Sequence, residues 1–187
     1  MTAPVRAFVA IEIPDSVKSE IRQAREMIRT EMPRARWVRI AGQHLTLKFL
    51  GEAPRSALDG FAADLGTALA GRGKVRVALG GAGFFPSPQR PRVAWLGGTA
   101  EGMAPVVEAV EDVGEDHGFS RERRPWSLHL TQARLGRPWP ADAVAHFLEW
   151  GRDLELGEFV AGEVVLFSSR LQPGGAVYTA LERMSLE

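Results

Sequence analysis

The chain of 187 residues contains one tripeptide twice, His44-Leu45-Thr46 and His129-Leu130-Thr131, about half the chain length apart. Imidazole, with an ordinary pKa of ~6.5, gives or takes a proton near neutrality more readily than any other side chain. Two imidazoles on either side of a substrate can divide an acid–base reaction: one removes a proton from a nucleophile, the other protonates a leaving group. A hydroxyl beside each can donate a hydrogen bond to charged oxygens between them. A phosphodiester has the matching parts, an attacking and a leaving oxygen roughly in line and two non-bridging oxygens that need donors. His44, His129, Thr46 and Thr131 are therefore the candidate catalytic residues.

Other chemistries find less support. The chain has no cysteine, which removes thiolate nucleophiles, Cys-ligated zinc and iron–sulfur clusters and fits a reducing, cytoplasmic setting. His117 and His146 fall in predicted helices without metal-ligand spacing, and a catalytic zinc usually takes three protein ligands, so neither metal nor cofactor is expected. There is no Gly-x-Ser-x-Gly elbow and no Walker loop, and Gly80-Gly81-Ala82-Gly83 reads as a bend.

The net charge is zero, which argues against tight non-specific binding of nucleic acid. The arginines nevertheless cluster around the motifs. Arg34, Arg36 and Arg39 precede the first, Arg121, Arg123 and Arg124 precede the second, and Arg134 and Arg137 follow it. Guanidinium donates two parallel hydrogen bonds, so a phosphate role is expected for one or two of them. If the substrate carries a base, Phe84, Phe85 and Trp126 are candidates to stack on it, core packing being the alternative.

These residues need strands to hold them. Gln43–Leu50 and Ser127–Arg134 both read as strands, with each His and Thr on one face and Leu45, Leu47 and Phe49, or Leu128 and Leu130, on the other. Further strands are expected over Val5–Ile13, Arg36–Ile40, Val75–Leu79, Arg92–Leu96, Phe159–Phe167 and Val177–Met184, the last two pairing around Pro173-Gly174-Gly175. Helices are expected from Asp15 or Ser16 (as N-cap) past Ile28, from Arg55 to Leu69, from Met103 to near Gly118, and from Pro140 to Trp150. Strands and helices mix without regular alternation, so the expected class is α+β with mainly antiparallel sheets flanked by helices. A helix precedes and follows each motif strand. This predicts one domain over 1–187 made of two pseudo-symmetric lobes, one motif in each, with the active-site cleft between them. The run Ala7–Ile11 is too short for a signal segment, and nothing approaches the ~20 apolar residues of a membrane span. A monomer without membrane partners is expected.

The chain also resembles a known family. The paired His-x-Thr strands are similar to the signatures of the two-histidine (2H) phosphoesterase superfamily, and within it of the RNA 2′,3′-cyclic phosphodiesterases, historically 2′-5′ RNA ligases. Arg6–Pro14 resembles the family's opening strand. Arg36-Trp37-Val38 with His44–Glu52 resembles its first signature, Phe85-Pro86 with Pro91–Gly97 its central segment, and His129–Arg134 its second signature. Leu128, where proline is common, and Gln132, where an aliphatic is usual, depart from the pattern. The resemblance implies metal-independent hydrolysis of RNA or nucleoside 2′,3′-cyclic phosphates to 2′-phosphates. By the same likeness His44 would protonate the leaving 3′ oxygen, His129 would activate water, Thr46 and Thr131 would hold the non-bridging oxygens, and Arg134 would assist at the phosphate. Alternatives are a 2H esterase for another small cyclic or 2′-5′ phosphodiester, and a module that binds RNA ends or nucleotides without turnover. Reverse 2′-5′ ligation is allowed by microscopic reversibility.

Overall fold

The computed structural model describes residues 3–173 and 175–187. It is an α+β fold of two antiparallel sheets and four α-helices. The first sheet has the order β3-β1-β8-β9, with β1 Val5–Glu12, β3 His44–Ala53, β8 Glu163–Gln172 and β9 Gly175–Ser185. The second has the order β2-β6-β5-β4-β7, with β2 Arg36–Trp37, β4 Val75–Phe85, β5 Val93–Glu101, β6 Leu130–Arg134 and β7 Glu158–Ala161. The helices are α1 Asp15–Arg29, α2 Arg55–Leu69, α3 Met103–Asp116 and α4 Ala141–Arg152. Each motif thus belongs to a different sheet.

The stretch Ala7–Ile11 of strand β1 is apolar throughout because it is buried on both faces. Ala7, Val9 and Ile11 enter the main core with Ile21 of α1, Phe61 and Leu65 of α2 and Val110 of α3. Phe8 and Ala10 join Val165, Phe167 and Tyr178 on the opposite face. A third cluster seats α4 on the second sheet through Phe84, Ala94, Ala133, Trp139 and Phe147.

Several expectations need correction. The segment Phe159–Phe167 is not one strand: Gly162 separates β7, which pairs with β4, from β8, which pairs with β1 and β9. Only Arg36–Trp37 of the expected Arg36–Ile40 strand pairs, and Ile40–Gly42 forms a 3₁₀ turn. The glycine-rich bend is a bulge inside β4, where register shifts between Leu79 and Ala82 and Gly81 takes φ +73, so the strand runs on to Phe85. Pro14, without a side-chain bond, is the cap of α1. Of the expected Pro173-Gly174-Gly175 turn, Gly174 lies outside the described residues.

The face assignments along the motif strands also change, for one reason. In β3, Ala10 faces Thr46 and Val9 faces Lys48, so Leu47 is an extra residue; in β6, Trp95 faces Thr131 and Ala94 faces Ala133, so Gln132 is extra. Both bulges fall directly after the motif threonine. A bulge moves everything beyond it to the other face. Lys48 therefore turns into the core, at 4 % exposure, while Phe49 turns out beside Thr46's face at 67 %.

Candidate active site

The same slip assembles a polar face on the second sheet. Cross-strand partners point the same way. Thr131 shares its face with Trp95 and, beyond the bulge, with Arg134, whose partner across β2 is Arg36. Unbroken alternation would have put Arg134 on the core side. Arg134 and Arg36 are both exposed and stand directly opposite each other, and neither has an ion-pair partner among the described residues. Like charges placed so repel unless an anion lies between them. Phe85 lies on this face too, 5.0 Å edge-on from the His129 ring, with Trp95 at 5.2 Å behind it. Gly83 is needed under that tryptophan: a Cβ there would come within 2.2 Å of the indole.

Phe84 points the other way. It is 3 % exposed and packs on Trp139 and Phe147, so it belongs to the core under α4 and offers no ring to a base. Trp126 is half-buried against the main core, and its Nε1–H donates to the Thr46 carbonyl at 2.9 Å.

On the first sheet, His44 opens β3. Its ring stacks on Phe8 at 4.6 Å and meets Tyr178 edge-on at 4.9 Å. Gly42 lets that tyrosine approach, since a Cβ there would touch the ring at 3.3 Å. His44 forms one wall of a cavity of about 250 Å³ with Glu12, Lys18, Arg39, Phe167 and Tyr178. A wider groove of about 610 Å³ lies at the far end of β3, from Phe49 to Pro54 and from His117 to Ser120, and neither motif histidine lines it.

Both histidines are held alike. His44 Nδ1 lies 2.9 Å from the Gly42 carbonyl, and His129 Nδ1 lies 2.9 Å from the Ser127 carbonyl. A carbonyl only accepts, so Nδ1 carries the proton in each and Nε2 is left to work on a substrate. His129 directly precedes β6 rather than lying within it. Their environments differ. Burial lowers the His44 pKa to about 4, the Gly42 bond opposing and Lys18 adding to the fall. His117 and His146 stand elsewhere, bonded to Asp64 at 2.7 Å and to Glu31 at 2.5 Å.

The two motifs are drawn together by residues that the motif pattern did not single out. Gln43 Nε2 donates to the Thr131 carbonyl at 3.2 Å, the counterpart of the Trp126 bond to Thr46. Buried Lys48 reaches Glu111 of α3 at 2.5 Å and the Ser120 carbonyl at 2.8 Å, and Glu111 also accepts from the Glu122 backbone N–H. Phe8 and Tyr178 were missed as well. The available signal was β1 itself, since a strand apolar on both faces implies a second cluster beyond it.

Comparison with known proteins identifies the family. The model of the LigT-like phosphoesterase family matches residues 11–95. A Thermus thermophilus protein named RNA 2′,3′-cyclic phosphodiesterase is 34 % identical over 97 % of this chain and 90 % of its own. The chain belongs to the LigT-like phosphoesterase family. A second relative of the same name, from Thermotoga maritima, is 30 % identical over 98 % of this chain and 96 % of its own. The solved structure of TT0787 from Thermus thermophilus superposes with a TM-score of 0.77 at 31 % identity, covering 97 % of both chains. The likeness to TT0787 therefore extends over the whole fold, both sheets included.

Proposed function

We propose that this LigT-like phosphoesterase hydrolyses the 2′,3′-cyclic phosphate of RNA ends or nucleosides, leaving a 2′-phosphate, with His44 and His129 as its acid–base pair. The observation that carries the reading is the matched pair of imidazoles, each fixed through Nδ1 with Nε2 free, on motifs joined by the Gln43 and Trp126 hydrogen bonds. Two whole-length relatives that carry the phosphodiesterase name support it. Thr46 and Thr131 hold the non-bridging oxygens, and Arg134 with Arg36 takes up their charge. A single two-lobed unit over 1–187, one pair per lobe, is the arrangement proposed for this work.

The chemistry is an in-line displacement at phosphorus. His129 Nε2 removes a proton from water as its oxygen attacks, and His44 Nε2 protonates the departing 3′ oxygen. The low pKa of His44 bears on this division, because in the empty site the ring is neutral at pH 7. An anionic phosphodiester next to Nε2 raises it, so the acid is loaded by the substrate that it serves. The lowered pKa equally suits a second reading in which His44 is the base and His129 the acid. Either way the active form carries one Nε2 proton, on a single member of the pair.

Replacement of either histidine by alanine tests the reading. Turnover of a nucleoside 2′,3′-cyclic phosphate is expected to fall roughly 10²–10⁴-fold in each variant. Near wild-type turnover in both, with the fold intact, would remove the mechanism.

A further inference from the structure

Each motif is approached by a lead-in that docks on the other motif's strand. Residues before the first motif run beside β6: Arg36 and Trp37 pair with Arg134 and Ala133, Val38 N–H donates to the Gln132 carbonyl at 2.8 Å, and Gln43 reaches Thr131. Residues before the second motif run beside β3, an edge strand of its sheet. Ser120 is held by Lys48, Glu122 by Glu111, and Trp126 by Thr46. The contact points order antiparallel along β3, from Lys48 opposite Ser120 through Thr46 opposite Trp126 to Gln43 opposite Thr131. The two bonds nearest the histidines are reciprocal, since each is a side chain beside one motif that grips the backbone carbonyl of the other motif's threonine.

Gln43 gains this bond at a cost. The residue is 4 % exposed, and its Oε1 is buried with no partner among the described residues. An unsatisfied buried amide oxygen is destabilising and offsets much of what the bond to Thr131 contributes. A side chain kept for stability alone would not be expected to carry it.

We propose that Gln43 and Trp126 are positioning residues that set the separation of His44 and His129 for cyclic phosphodiester hydrolysis. The inference rests on the two-histidine reading above. Both act through the threonine backbones that carry the motif strands, although Gln43 also lines the cavity beside His44. Acid–base transfer needs hydrogen-bond reach on both sides of the phosphorus at once, so a small shift between the sheets slows the chemical step without weakening ground-state binding.

The experiment compares Gln43→Met and Trp126→Phe with wild type, using a nucleoside 2′,3′-cyclic phosphate. Each variant removes the donor and keeps most of the packed volume. A core variant, Ile21→Val, serves as the control for modest destabilisation. Positioning predicts that kcat falls roughly 10- to 100-fold in both variants, as expected for an ångström-scale misplacement, with KM within about twofold. Gln43→Met is expected to melt no lower than Ile21→Val, so that its lost rate cannot be instability. Ile21→Val is expected to keep wild-type kcat. Should Trp126→Phe fail to fold, Gln43→Met decides alone. Unchanged kcat in the folded variants overturns the proposal, and so does a loss confined to KM, which would make the two residues substrate contacts. His44→Ala and His129→Ala are measured alongside. If those are inactive while Gln43→Met and Trp126→Phe keep wild-type rates, only the positioning role fails; if the histidine variants remain active, the two-histidine reading itself fails, and positioning with it.

Discussion

At the scale of single residues, the two histidines have identical tripeptides and unlike surroundings. His44 lies among Phe8, Phe167 and Tyr178, whereas His129 meets Phe85 alone among the aromatic rings of the described residues. None of those contacts is local in sequence, so no inspection of His-Leu-Thr distinguishes the copies. The difference has two measurable consequences. Because His44 titrates at about 4, the pair becomes doubly protonated only below that pH, and kcat/KM should keep an acid limb near pH 4. An acid limb near ~6.5 in a pH–rate profile would show His44 to be unperturbed. The second consequence concerns stability. The unfolded chain binds a proton at His44 near pH ~6.5 while the folded chain resists until about 4, so stability is fully present above the first value and declines as pH falls toward the second. The loss attributable to His44 is on the order of 3 kcal/mol. Denaturant titrations of wild type and His44→Asn between pH 7 and pH 4 should show a shallower decline in the variant.

At the scale of elements, β3 and β6 show where sequence reading works and where it stops. The strands, their motif faces and the anchoring of Leu45 and Leu130 follow from alternation, and both leucines are 1 % exposed. Alternation fails one residue past each threonine, because bulges at Leu47 and Gln132 have no local signature comparable to a glycine turn. The failure matters to function, since the bulge in β6 brings Arg134 onto the face of Thr131. Arg134→Ala should lower kcat/KM about 10- to 100-fold, the worth of one charge-assisted hydrogen bond, and lysine should restore it only in part because it lacks the planar fork. Equal activity of all three proteins would place the phosphate elsewhere. The bulge in β3 buries Lys48, whose pairing with Glu111 ties that strand to α3. Lys48→Met leaves a buried carboxylate uncompensated and should cost about 3–5 kcal/mol in chemical unfolding, most of it regained in the double variant with Glu111→Leu. A cost below about 1 kcal/mol would mean that Glu111 finds water.

At the scale of the molecule, the α+β class with mainly antiparallel sheets flanked by helices was legible from periodicity. The exchange of lead-ins was not. It depends on Gln43, Trp126, Lys48 and Glu111 meeting across 63 to 88 residues of chain, and each of them alone reads as an ordinary polar or aromatic residue. Division of Phe159–Phe167 between the two sheets escaped for a related reason, since it depends on pairing with the distant strands β4 and β1. Among the described residues no helix is long and apolar enough to cross a membrane. The central claim is that two imidazoles act on one cyclic phosphodiester, and product analysis tests it most directly. The purified protein is incubated with a nucleoside 2′,3′-cyclic phosphate, and the phosphate position is identified by phosphorus NMR. The expected result is the 2′-phosphate as sole product, formed by wild type and lost with either His44→Ala or His129→Ala. Persistence of the cyclic phosphate with folded wild-type protein, or product formation by the double histidine variant, would contradict it.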